Sequence, residues 1–98
     1  MAYNLTILPQ AQEEISQIFE YYKHLPNSVL VKFDKEIEKV YQTLEKNPFY
    51  QVRYKHLRAI PFKSFPYLVF FDIDEENQMV YIYYVFHTSQ NPNNYPKV

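Results

Sequence analysis

Two apolar stripes at helical spacing precede Asn47-Pro48, and segments with the character of strands follow it. Helices need a 3.6-residue period and strands a period of two, so the change commits the chain to two kinds of layer. Ala11, Ile15, Ile18, Phe19 and Tyr22 recur at spacings of 4, 3, 1 and 3, one face of a helix of about four turns. Pro9 suits its first turn, Glu13 and Glu14 sit near its start, and Lys23 is placed in its last turn, as the helix dipole favours. Leu25-Pro26-Asn27 ends it. Asn27 or Ser28 is the expected N-cap of a second helix, whose stripe is Leu30, Phe33, Ile37, Val40, Tyr41 and Leu44. A short loop between two such helices predicts an antiparallel hairpin.

Strands account for the rest. Tyr3 to Leu8 alternates as a short first strand, and Val52 to Phe62 is rich in β formers and bases. Lys63-Ser64-Phe65-Pro66 predicts a turn, and Tyr67 to Ile73 a further strand. Asp74-Glu75-Glu76-Asn77 predicts the loop of a hairpin whose second arm is Met79–His87. That arm is apolar on both faces, which places it centrally or beneath the helices. The expected fold is α+β: an N-terminal strand and an antiparallel helical hairpin packed on a mostly antiparallel four-stranded sheet. At 98 residues the chain suits one domain spanning 1–98, with an irregular polar tail over 88–98.

Composition narrows the chemistry. Cysteine and glycine are both absent, which removes disulfides, thiolate metal sites, cysteine nucleophiles and glycine-rich phosphate loops. Cysteine-free usage, no signal-peptide pattern at the N-terminus and no apolar run long enough for a bilayer predict a cytoplasmic protein without membrane contact. His24, His56 and His87 lack metal-ligand spacing, and Ser16, Ser28, Ser64 and Ser89 lack a nucleophile elbow, so neither a metal nor a serine triad is expected.

Charge is unevenly spread. The net charge is −1, yet no acid occurs from Asn47 to Phe71, where Arg53, Lys55, Arg58 and Lys63 supply four positive charges. These four are the candidate nucleic-acid or target-binding residues, set against the simpler reading of a solvated basic face. The aromatic ladder Tyr81, Tyr83, Tyr84, Phe86 with Tyr67, Phe70 and Phe71 serves chiefly as core, and its exposed side as a partner surface.

Element order and several short motifs resemble the RelE/ParE toxin superfamily over essentially the whole chain. The residues that carry the likeness are Pro9-Gln10-Ala11, Leu44-Glu45-Lys46-Asn47-Pro48, Leu57-Arg58, Tyr67-Leu68-Val69-Phe70, Asp72-Ile73-Asp74 and His87-Thr88-Ser89-Gln90-Asn91-Pro92. The resemblance implies the toxin of a type II toxin–antitoxin pair, of the kind also called plasmid stabilisation proteins. Such a toxin inhibits growth when free, and a cognate antitoxin neutralises it in a hetero-oligomer. One branch acts on DNA gyrase, and another cuts mRNA in the ribosomal A site without a metal or cofactor. Where many relatives have Arg, this chain has the neutral Gln90. That departure and the low net charge favour gyrase-type target binding over the mRNA endonuclease, with an inactive partner-binding member as the third reading. For the endonuclease, Arg58, His87 and Tyr95 are the candidate catalytic residues, with His56 a further acid–base candidate.

Overall fold

The computed structural model describes residues 2–89. Its elements are β1 (Asn4–Ile7), α1 (Pro9–Tyr22), α2 (Asn27–Lys46), β2 (Val52–Tyr54), β3 (Leu57–Pro61), β4 (Tyr67–Asp74) and β5 (Met79–His87). The strands form one sheet in the order β1-β5-β4-β3-β2. β1 runs parallel to β5, and every other neighbouring pair is antiparallel. The last strand therefore lies inside the sheet, as its two apolar faces require.

The expected α+β layering holds, but the sheet has five strands rather than four. The segment 52–62 is split by Lys55, whose φ of 52° lies in the left-handed region and turns the chain back on itself. β2 and β3 then pair as a tight hairpin, with Tyr54 opposite Leu57. Gln78 has the same φ and closes the β4–β5 loop. In a chain without glycine, both turns place side-chain-bearing residues in a disfavoured region. In that second loop, Asn77 donates to the Asp74 carboxylate from its backbone and its side chain, and these bonds hold the Asp74 pKa below its ordinary value.

Two details of the helix ends differ from expectation. α2 is entered from Pro26, not capped by the Asn27 or Ser28 side chain. Pro26 has the extended ψ of 141° that a cap position needs, and its carbonyl accepts from Val29 N–H. Lys23 is the C-cap of α1 rather than a last-turn residue, and no acid occupies the first turn. Glu14 is used elsewhere: its Oε1 accepts the Val85 N–H at 2.8 Å.

Both helices cover one face of the sheet. Phe33, Ile37, Val40 and Leu44 of α2 and Ala11 and Tyr22 of α1 pack with Ile60, Tyr67, Val69, Phe71, Val80, Ile82 and Val85. Phe33 is the hub, ringed by Phe19, Tyr22, Phe62, Phe65 and Tyr67 at centroid separations of 5.2–5.9 Å. Such ring pairs add about 0.5–1.5 kcal/mol each beyond their burial, which helps a small core. The opposite face carries a second cluster, Leu57, Ala59, Leu68, Phe70 and Phe86, with Tyr54, Tyr83 and Tyr84 packed against it. The aromatic ladder is thus divided between two faces: Tyr67 and Phe71 toward the helices, Phe70 and Phe86 away from them.

Candidate functional site

A β-bulge organises the face away from the helices. Phe70 pairs with Tyr84 and Phe71 with Ile82, so Tyr83 is the extra residue in β5. It joins Tyr84 on the second cluster, and Val85 returns to the helix side. Bulges re-aim side chains in this way, frequently beside functional sites. Tyr83 meets the His56 ring edge-on at 6.1 Å. His56 Nε2 lies 3.9 Å from Asp72 Oδ2, and both side chains are substantially exposed. Lys55 stands over the Tyr54 ring at 5.6 Å from its centroid. One corner of the sheet therefore assembles an imidazole, a carboxylate and a phenol. A carboxylate beside an imidazole can orient the ring, and a phenol can donate to a developing oxyanion.

Asp72 entered no list of candidates drawn from the sequence, and its pairing with His56 depends on the β3–β4 register. The available signal was the alternation Leu68, Phe70, Asp72, which places the carboxylate on the face of the second cluster.

The basic segment does not gather into one patch. Arg53 and Lys55 are exposed on the β2–β3 hairpin, and Lys63 is exposed beyond the other end of β3. Arg58 pairs with Phe71, on the helix side of the sheet. Its Nη1 donates to the Tyr50 carbonyl at 2.6 Å, and its guanidinium lies 5.7 Å from the Phe49 ring centroid. Arg58 therefore clamps the 47–51 segment, which links α2 to the sheet.

His87 occupies a different place. It pairs with Tyr67, four positions along β4 from the partner of Arg58, which is about 13 Å of strand. Arg58 and His87 are therefore not brought together. His87 lines a cleft of about 270 Å³ with Glu14, Gln17, Tyr21, Tyr67 and Val85. Its ring meets Tyr67 edge-on at 5.3 Å. Its Nδ1 accepts the Ser89 N–H at 3.2 Å. The Tyr67 hydroxyl shares a hydrogen bond of 3.2 Å with Tyr22 in the core. Burial first, and then that bond, raise the Tyr67 pKa well above the usual phenol value. Tyr95 and Gln90 lie outside the described residues. Among the described residues, no three His, Cys, Asp or Glu side chains are grouped so as to hold a metal ion. No helix there is long and apolar enough to cross a membrane.

The family model described as "ParE toxin of type II toxin-antitoxin system, parDE" matches residues 5–92. The chain belongs to the ParE toxin family. Solved structures share its fold at low sequence identity. A chain of the chromosomal ParDE toxin–antitoxin system from P. aeruginosa superposes with a TM-score of 0.70 at 13% identity, covering 88% of this chain and 96% of that one. A chain of the RelBE2 toxin–antitoxin complex from Mycobacterium tuberculosis gives 0.62 at 17% identity, covering 89% and 99%. The intact E. coli RelBE complex gives 0.50 at 18% identity, covering 86% and 94%. No curated protein sequence is a significant match.

For a member of the ParE family, the layout separates two surfaces. The face away from the helices carries His56, Asp72 and Tyr83 on an aromatic bed. The helix side uses Arg58 to hold its own chain and Glu14 to hold its own sheet.

Proposed function

We propose that this ParE-family chain acts by binding a protein target, DNA gyrase, in the cytoplasm, and that a cognate antitoxin neutralises it in a hetero-oligomer. The observation that carries the reading is the dispersal of its cations. Phosphodiester cleavage needs positive charge beside an acid and a base. Here Arg58 is bound to Tyr50, Lys55 and Lys63 stand at opposite ends of β3, and His87 lies four residues of strand from the row of Arg58, at the end of the sheet where Lys63 stands on the far side of β4. Binding to a protein surface makes no such demand. It is served by basic groups on an exposed hairpin, Arg53 and Lys55, near the half-buried ring of Tyr83.

A second reading, ribosome-dependent and metal-independent mRNA cleavage, is favoured by one observation, the His56–Asp72 pair beside Tyr83. One experiment separates the two. The protein is induced in a bacterial host with and without its antitoxin, then purified and assayed for gyrase supercoiling and for cleavage of ribosome-bound mRNA. Growth arrest relieved by the antitoxin, with supercoiling blocked and mRNA intact, is expected. Cleavage that disappears in His56→Ala would replace the gyrase reading with the endonuclease. Healthy growth at full soluble expression, with both assays silent, would leave an inactive partner-binding member.

A further inference from the structure

A groove of about 250 Å³ lies between the C-terminal half of α2 and the β3 side of the sheet. Glu36, Lys39 and Thr43 form its helix wall, and Tyr50, Ile60 and Lys63 the opposite one. Ile60 is buried, Thr43 and Tyr50 are half-buried, and Lys39 and Lys63 are exposed. Small-molecule pockets commonly enclose roughly 300–1,000 Å³ and bury most of their ligand, so this groove is undersized for that role. It is better matched to one large apolar side chain anchoring a longer partner.

The charges at its rim favour one kind of partner. Glu36 is the single acid of the lining, and its Oε1 already accepts the backbone N–H groups of Lys63 and Ser64 at 3.0 and 2.9 Å. Two lysines also line the groove, Lys39 from α2 and Lys63 from the loop after β3. Everything the sheet side contributes comes from the stretch 47–71, which contains no acid. Beside Tyr50, Phe49 is 50% exposed and Val52 46%, which extends apolar surface beyond the groove. A nucleic acid would meet the cations but leave the apolar walls unfilled.

We infer that this groove seats an acidic segment of the antitoxin, which inserts one large apolar side chain between Val40, Thr43, Tyr50 and Ile60 and sets carboxylates against Lys39 and Lys63. The inference rests on the toxin–antitoxin reading and adds the place and chemistry of the contact. Apolar anchoring with charged flanks fixes both affinity and register.

Two full-length variants test it by titration calorimetry against the purified antitoxin. Lys39→Glu with Lys63→Glu changes exposed residues only, and Thr43→Phe fills the groove. Circular dichroism checks that each is folded. The charge reversal is expected to weaken the complex by about tenfold or more at low salt, and by less at high salt, because exposed charges are screened within ~10 Å at 0.1 M. Thr43→Phe is expected to weaken it by a similar factor at every salt concentration. Both variants binding within about twofold of the parent would overturn the groove assignment while leaving the antitoxin reading intact. A parent that does not bind the antitoxin would overturn that reading and the groove with it. Unchanged antitoxin affinity with lost binding to ribosomes or gyrase would transfer the groove to the target.

Discussion

Glu14 on α1 and Val85 on β5 are 71 residues apart, and the carboxylate of one accepts the backbone N–H of the other at 2.8 Å. β1 pairs with β5 only as far as Ile82, so this contact takes over where the strand ladder stops. It satisfies an edge amide and docks the helix in a single bond.

Replacing Glu14 by Ala leaves the partly buried Val85 amide without that partner. A hydrogen bond to a charged group contributes about 1.5–3 kcal/mol. A loss of that size is expected in urea denaturation, with faster hydrogen exchange at the Val85 amide. Glu14→Gln should retain part of the stability. An unchanged Val85 exchange rate in Glu14→Ala would show that the contact does not protect the edge.

Arg58 is a sharper case, because sequence patterning offers it as a catalytic cation. Its bond to the Tyr50 carbonyl predicts that Arg58→Ala destabilises the fold by about 1.5–3 kcal/mol. Arg58→Lys should recover only part of that, since an ammonium lacks the planar fork. Any loss of toxicity should then follow the folded fraction. Toxicity abolished in a fully folded Arg58→Ala protein would mark a direct role at the target.

Alkaline pH should expose the buried phenols. Burial, reinforced by Glu38 and Asp34, pushes the Tyr41 pKa up to about 12, and burial with the Tyr22 bond raises Tyr67. Groups with a raised folded pKa favour the native state fully below the unfolded value of 10.0, and that advantage disappears as pH climbs through the folded value. The urea midpoint should hold between pH 8 and 9.5 and fall steeply above pH 10. Tyr22→Phe removes the partner of Tyr67, so it should cost about 1 kcal/mol at neutral pH and advance the Tyr67 titration seen by absorbance. A midpoint independent of pH up to 11.5 would contradict this.

The helix hairpin and the β-rich second half were legible in the sequence because amphipathic period is a local property. The stripe from Leu30 to Leu44 marks a helix locally and needs only something apolar beneath it to be stable. The same holds for the strands from Tyr67 to Ile73 and from Met79 to His87. Family motifs such as Leu57-Arg58 supplied the broad function, although not the use to which Arg58 is put.

Tertiary structure alone decided the rest. The sequence predicts no turn at Lys55, since a left-handed lysine has no local signature. Without that turn, the basic segment reads as one strand and one patch. With it, the cations part company and His56 comes within reach of Asp72. The parallel β1–β5 pairing, the Tyr83 bulge and the Glu14–Val85 bond all join residues remote in sequence. Their partners are selected by which surfaces the helices cover, and that choice exists only once the sheet has assembled.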